Sequence, residues 1–152
     1  MASTTTVLIL NGPNLNMLGV REPDIYGTAT LADIEAACRE HAGRLGMEID
    51  FRQSNSEAEL IAWVQEVGDG VRGLIVNAGA YTHTSIALLD ALRTVRQPIV
   101  EVHLSNIFQR EAFRRHSYVA EAATGVICGF GVGGYLLALE AIDSEAKARE
   151  AN

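Results

Sequence analysis

Short apolar segments alternate with longer, helix-like segments along most of this chain, and that rhythm limits the folds it can adopt. Continuous apolar runs at 7–10, 74–76, 99–102 and 126–128 are typical of strands buried on both faces. Neighbouring parallel strands need a long crossover connection, which is usually a helix. The pattern therefore predicts a series of βαβ units.

The ends of the intervening helices are marked by residues that start or stop helices. Segments 30–46 and 56–68 each begin with a hydroxyl residue followed by an acidic residue, as at helix N-caps, and each ends at a glycine. Further helices are predicted over 84–95, over 110–114, and after the glycines at 131–134. Five strands and their helices result.

The predicted second strand differs from the others. Residues 47–52 alternate strictly between apolar and charged side chains, which is typical of a strand with one face partly exposed to solvent. We therefore place it at a sheet edge. This favours a flavodoxin-like α/β fold, with a five-stranded parallel sheet in the order 2-1-3-4-5 and helices on both faces.

Length and composition indicate one domain. A chain of 152 residues with 48% hydrophobic residues can bury about two-thirds of its unfolded surface. We expect a single catalytic domain over 1–152, with flexible tails at 1–5 and from about 145 to 152.

Charge and cysteine content exclude several classes of partner. The net charge of -7 disfavours nucleic acid, and the basic cluster near 110–116 is too small to reverse that. Cys38 and Cys128 suggest neither a disulfide framework nor a zinc site. With no targeting segment and no long apolar stretch, we expect a cytoplasmic protein that binds no membrane.

Polar residues follow three strands that this topology makes neighbours. They are Asn11 and Asn14 after strand 1, Asn77, Tyr81 and His83 after strand 3, and His103, Ser105 and Asn106 after strand 4. Taken singly, each is explained as a turn residue, a helix cap or a solvated side chain. Because ligands in such sheets bind outside the carboxyl ends of the strands, we expect these residues to face one crevice.

Other motifs compete with that interpretation. The G-x-G-x-x-G pattern at 129–134 comes too late for a dinucleotide site, so we interpret it as a tight turn and close helix packing. No phosphate-binding G-x-x-x-x-G-K-[ST] motif is present. Ser85 and Ser105 lack the setting of a nucleophile elbow. The single lysine, Lys147, stands in a polar segment, which argues against Schiff-base chemistry.

The loop at 11–27 contains Arg21 and Tyr26. A phenol has a pKa of about 10, so Tyr26 could act as a base only if a cation such as Arg21 stabilised the phenolate. Glycine and proline residues punctuate the segment and favour a lid that is neither helix nor strand. An ordinary surface loop is the alternative.

Five blocks of this chain resemble the type II 3-dehydroquinate dehydratase family. They are NGPNLNMLGVREPDIYG at 11–27, RQSNSE at 52–57, NAGAYTHTS at 77–85, EVHLSN at 101–106 and REAFRRHS at 110–117. The resemblance implies a flavodoxin-like fold, a dodecamer of trimers, and neither cofactor nor metal. It also implies a lyase of the shikimate pathway that eliminates water from 3-dehydroquinate to give 3-dehydroshikimate.

The resemblance also assigns roles to particular residues. Tyr26 would be the base that removes the proton beside the ketone, with Arg21 keeping the phenol acidic. His103 would be the acid that protonates the departing hydroxyl. Asn14 would help to position a water that stabilises the enolate between these steps.

By the same resemblance, the substrate would be held by Asn77, His83, Asp90, Leu104, Ser105 and Arg114. Asn77 and the amides of Leu104 and Ser105 would bind the carboxylate, and His83 and Arg114 the ring hydroxyls. Asp90 would act in the adjacent subunit's site, unless it is an ordinary surface carboxylate. Glu101, on the same strand as His103, could orient that histidine.

A flavodoxin-like binding module is the alternative from another class. A phospho-receiver needs an acidic acceptor at the end of strand 3, where this chain has Asn77. A flavin binder needs a glycine- and hydroxyl-rich loop after strand 1, where this chain has Asn11 to Asn14. Both features disfavour the alternative.

Overall fold

A parallel sheet forms the centre of the molecule. The structure is a computed structural model that describes residues 5–20 and 22–152, with only the backbone at Tyr26. The strands are β1 (Thr6–Asn11), β2 (Glu48–Gln53), β3 (Val71–Asn77), β4 (Ile99–His103) and β5 (Gly125–Cys128). Their order is β2-β1-β3-β4-β5, all parallel. The predicted order and the edge position of β2 are confirmed.

Helices connect the strands. They are α1 (Pro23–Tyr26), α2 (Leu31–Arg44), α3 (Glu57–Gln65), α4 (Ile86–Leu92) and α5 (Val132–Glu150). Short 3-10 turns lie at Leu15–Met17, Gly79–His83, Ile107–Gln109, Ala112–Arg114 and Val119–Glu121. Helices α2 and α5 pack on one face of the sheet and α3 and α4 on the other, which gives two cores of buried aliphatic side chains.

The predicted helix starts are explained by capping. The Thr30 side chain accepts from the Asp33 amide, and the Asp33 carboxylate accepts from the Thr30 amide, which completes a capping box for α2. Ser56 accepts from the Glu59 amide in the same way and begins α3. Helix α4 begins after Ser85, rather than at residue 84, because the Ser85 hydroxyl caps it.

Two segments differ from their predicted conformation. The loop expected to be free of helix contains α1, a single turn that starts at Pro23, where proline is favoured because its fixed φ suits the first helical position. The short helix predicted over 110–114 is only partly formed. Arg110 and Glu111 are extended, so the helical part is the 3-10 turn Ala112–Arg114.

The C-terminal helix is longer than the sequence pattern indicated. Helix α5 begins at Val132, inside the glycine run, with Gly134 packed against the side chains of Ile127 and Val102. It continues to Glu150, so the segment expected to be a flexible tail from about 145 is helical. Ala146 is buried and the Arg149 side chain donates to the Arg96 carbonyl, so the last turns of α5 are held by the rest of the chain.

Strand β5 was expected to be buried on both faces, and that expectation is wrong for this chain. Gly125 and Val126 are exposed, with Val126 at 43%. The cause is topological, because β5 is the second edge of the sheet and pairs with β4 alone. Apolar residues at an edge strand are therefore not enclosed by the elements of one chain.

The register of the strands brings two asparagines together at one end of the sheet. Asn11, at the end of β1, pairs in register with Asn77 at the end of β3. Beyond these residues the Gly12 amide donates to the Asn77 carbonyl at 2.8 Å. A Cβ at Gly12 would lie 2.3 Å from the Ala78 carbonyl oxygen, so only glycine allows the two chain segments to approach this closely.

We expect Gly12→Ala to lower the free energy of unfolding by about 1–3 kcal/mol, because overpacking forces the backbone apart. Gly43→Ala is the matched control, since a Cβ at that position in α2 meets nothing within 4 Å. It should instead raise the stability by about 0.5–1 kcal/mol through helix propensity. Urea denaturation measures both changes, and equal effects would contradict the close-approach argument.

Candidate active site

A pocket opens at the carboxyl ends of β1, β3 and β4, at the point where the strand order reverses. It encloses about 690 Å³, its open mouth included. Of the residues singled out from the sequence, it brings together Asn14, Asn77, His83, His103, Leu104, Ser105 and Arg114. A site of this size, with apolar walls and a few polar groups, suits a small polar ligand.

A buried acid and histidine stand beside this pocket. His103, the last residue of β4, is 5% exposed, and Glu101 on the same strand is fully buried. The His103 Nε2 atom is hydrogen-bonded to the Glu101 carboxylate. Because an ionised carboxylate can only accept, Nε2 carries a proton and Nδ1 is the ring nitrogen left for a ligand.

Glu101 is held in turn by Ser117. The Ser117 hydroxyl lies 2.8 Å from both carboxylate oxygens of Glu101, and its oxygen accepts from the Ala120 amide at 3.0 Å. A buried carboxylate needs such partners, since an unpaired charge in the interior is costly. The sequence pattern placed Ser117 in a family block without giving it a role.

His83 faces the same pocket with a defined tautomer. Its Nδ1 lies 2.8 Å from the His116 carbonyl, which can only accept, so Nδ1 is the donor and Nε2 is an acceptor in the neutral ring. Desolvation by burial lowers the pKa of His83 below its usual value. Its ring lies 6.4 Å from that of His103, centroid to centroid. His83 can therefore accept from a ligand hydroxyl at neutral pH.

Two cationic residues, Arg110 and Arg114, also line the pocket. The Arg114 Nε donates to Glu111 at 2.8 Å, and Arg110 Nε lies 3.9 Å from the same carboxylate. Hydrogen bonds from its own backbone amide and from Arg114 lower the pKa of Glu111, so that carboxylate stays ionised. The sequence placed Arg110 in a basic cluster and in a family block without giving it a role, and its position in the pocket became visible only in the fold.

Asn14 has a left-handed backbone, with φ of 69°, that places its side chain at the pocket. Asparagine tolerates this conformation better than most residues. The turn is held by Asn55, whose side-chain oxygen accepts from the Asn14 amide at 3.0 Å and from Gln53 at 3.1 Å. Two family blocks, at 11–27 and 52–57, thus meet at this turn.

The chain at Leu104 and Ser105 is fixed by the glycine motif. Gly129 donates to the His103 carbonyl at 3.2 Å, and Gly131 donates to the Leu104 carbonyl at 2.9 Å. Both glycines have positive φ, which other residues rarely adopt. The motif therefore works as a turn that supports the pocket, in agreement with the sequence interpretation.

Several residues singled out from the sequence lie elsewhere. Arg21 lies outside the described residues, as does the side chain of Tyr26, so their roles stay predictions. Asp90 is exposed on α4 and does not line the pocket. Tyr81 donates to the Asn55 carbonyl, and the Asn106 side chain caps the turn Ile107–Gln109.

The described part of the chain contains neither a metal-ligand cluster nor a helix that could span a membrane. No cluster of three or more His, Cys, Asp or Glu side chains there could hold a metal ion. None of the helices there has the length and apolar character needed to cross a membrane.

Sheet order and pocket position together define a flavodoxin-like α/β protein with a pocket at the topological switch point, where such folds bind ligands. Over residues 5–143 the chain matches the family model described as dehydroquinase class II. It therefore belongs to the class II dehydroquinase family.

Individual relatives agree with this assignment. The chain is 58% identical to a 3-dehydroquinate dehydratase of Brucella abortus over 149 residues, which covers 98% of this chain and 95% of the relative. A crystal structure of type II dehydroquinase from Propionibacterium acnes superposes with a TM-score of 0.88 at 42% identity, covering 95% of this chain and 99% of that one. One from Butyrivibrio crossotus gives 0.89 at 38% identity, covering 91% and 97%.

Proposed function

We propose that this chain catalyses the elimination of water from 3-dehydroquinate to give 3-dehydroshikimate, as a lyase of the shikimate pathway. Relatives named for this activity match nearly the whole chain. The observation that carries the proposal is the buried Glu101–His103 pair beside a pocket lined by polar residues of the family blocks.

His103 is the general acid in this mechanism. The Glu101 carboxylate accepts a hydrogen bond from its Nε2 and so orients the ring. The imidazolium can then donate the Nδ1 proton to the departing hydroxyl, which leaves as water. Because His103 is 5% exposed, bulk water has little access to the proton being transferred.

Tyr26 is the base and Arg21 its cation. The phenolate removes the proton beside the ketone, and the C–H electrons form an enolate. Collapse of the enolate expels the hydroxyl that His103 protonates, so atoms and charge balance. Asn14, whose turn is fixed by Asn55, helps to place a water against the developing oxyanion.

The remaining groups hold the substrate. Asn77 and the amides of Leu104 and Ser105 bind its carboxylate, and His83 accepts from a ring hydroxyl through Nε2. Arg114 holds another hydroxyl at the rim. Lys147 takes no part, since it is 66% exposed on α5 and paired with Asp143 at 2.8 Å. The mechanism therefore needs no imine.

Adding 3-dehydroquinate to the purified protein tests the proposal. The conjugated product should appear as a rise in ultraviolet absorbance, and borohydride present during turnover should change neither the activity nor the protein mass. Lys147→Arg is the matched control and should be as active as the natural chain. Absence of product, or a reduced adduct on the lysine, would refute the activity or the mechanism respectively.

The role of Glu101 can be tested with its amide isostere. In Glu101→Gln the carboxylate that orients His103 is replaced by a neutral amide, so kcat should fall by about 10–100-fold with a smaller change in KM. This is less than the roughly 10²–10⁴-fold that a general acid itself contributes, because His103 is retained. Steady-state kinetics measure both effects.

Glu121→Gln is the control for Glu101→Gln, because it neutralises a carboxylate that is 48% exposed and paired only weakly, at 4.0 Å, with His116. Its kcat should match that of the natural chain. If Glu101→Gln also left kcat unchanged, Glu101 would not act on His103.

A cytoplasmic dodecamer of trimers completes the proposal. Exposed apolar side chains near β5 support association, since Val126 is 43% and Phe130 66% exposed. Asp90, exposed on α4, would contribute to the site of an adjacent subunit, which closed symmetric assemblies allow.

Sharing of the site can be tested by complementation. Tyr26→Phe should be inactive and Asp90→Ala weakly active, because each lacks one contribution to every site. When the two variants are unfolded together and refolded, some interfaces should combine an intact Tyr26 with an intact Asp90 and regain activity. Mixed oligomers, verified by native mass, that show only the average of the parents would exclude Asp90 from the neighbouring site.

A further inference from the structure

A buried tyrosine on the C-terminal helix reaches the end of the pocket through side-chain hydrogen bonds. Tyr135 is fully buried on α5, far along the chain from the strand ends. Its hydroxyl donates to Asn11 Oδ1 at 2.7 Å and accepts from Asn77 Nδ2 at 2.9 Å. Asn11 is itself fully buried, and Asn77 is 3% exposed and lines the pocket.

Backbone groups at both ends of this network decide the direction of every bond in it. At one end, Asn11 Nδ2 lies 3.0 Å from the Arg52 carbonyl, which can only accept, so Asn11 must present its oxygen to Tyr135. The phenol then donates to Asn11 and can only accept from Asn77. Desolvation by burial raises the pKa of Tyr135, so the phenol keeps the proton that this requires.

At the other end, Asn77 Oδ1 lies 3.3 Å from the Gly79 amide, which can only donate. The Asn77 amide is therefore fixed in one of its two orientations by a neighbour on each side. One of the two Nδ2 hydrogens is used by Tyr135, and the second is the only side-chain donor that Asn77 has left for a ligand.

We infer that Tyr135 is a positioning residue that orients the Asn77 amide so that it presents an N–H group, and not a carbonyl oxygen, to an anionic ligand. The inference rests on the proposed role of Asn77 in holding the substrate carboxylate. A flipped amide would turn its oxygen toward that carboxylate and repel it. Without the phenol, only the longer bond to Gly79 would oppose the flip.

Tyr135→Phe removes the hydroxyl and retains the ring that packs in the core. We expect KM for 3-dehydroquinate to rise about tenfold, the factor associated with one hydrogen bond to a charged group, while kcat changes by less than about twofold. In an Asn77→Ala background the same substitution should have no further effect on KM, because Tyr135 acts through Asn77.

Ile142→Val is the matched control for loss of core packing. Ile142 is fully buried on the same helix and belongs to the same apolar cluster as Tyr135. The substitution should lower thermal stability and leave KM unchanged. An equal rise in KM in this control would show that Tyr135→Phe acts by loosening α5, and would overturn the inference.

A second substitution breaks the network from its other side. Asn11→Leu keeps the approximate shape of the side chain and frees the Tyr135 hydroxyl to donate to Asn77 Oδ1, which favours the flipped amide. The same rise in KM is expected, and it decides the question should Tyr135→Phe not fold. An unchanged KM in whichever of the two variants folds would overturn the inference.

The Asn77→Ala variant separates an error in the role given to Tyr135 from an error in the role given to Asn77. If Asn77→Ala raises KM but Tyr135→Phe does not, Asn77 binds substrate without help from Tyr135. If Asn77→Ala itself leaves KM unchanged, the proposed role of Asn77 is wrong.

Discussion

The structure depends on the in-register pairing of β1 and β3 up to their last residues. Asn11 and Asn77 end the two strands side by side, and the Gly12 amide continues the pairing by donating to the Asn77 carbonyl. A side chain at Gly12 would collide with the Ala78 carbonyl, so this approach requires glycine. The pocket, the Asn14 turn and the hydrogen bonds to Tyr135 are all formed by these strand ends and the residues that follow them.

The side of the pocket that His103 lines is built differently from the side that Asn77 lines. Glu101 and His103 lie two residues apart on β4, so their side chains share one face of the strand. The buried carboxylate can therefore hydrogen-bond to the nearly buried histidine. The Glu101 carboxylate also accepts a hydrogen bond from Ser117, in a segment after β4. Around Asn77, by contrast, neutral amides and a phenol set orientation without adding charge.

Local patterns in the sequence predicted most of the architecture. Helix starts at Thr30 and Ser56 followed from capping, and the edge position of β2 followed from its alternating pattern, because both signals depend on neighbours along the chain. The extent of α5 and the exposure of β5 were predicted wrongly. Both depend on packing against segments that are distant in sequence.

The sequence by itself determined the strand order and the set of polar residues at the carboxyl ends of the strands, because parallel strands bring those ends to one edge. Only the tertiary structure decided how these residues are oriented. The tautomer of His83 depends on the His116 carbonyl, and the orientation of the Asn77 amide depends on Tyr135. Hydrogen-bond direction is set by partners from other segments, which the order of residues along the chain does not reveal.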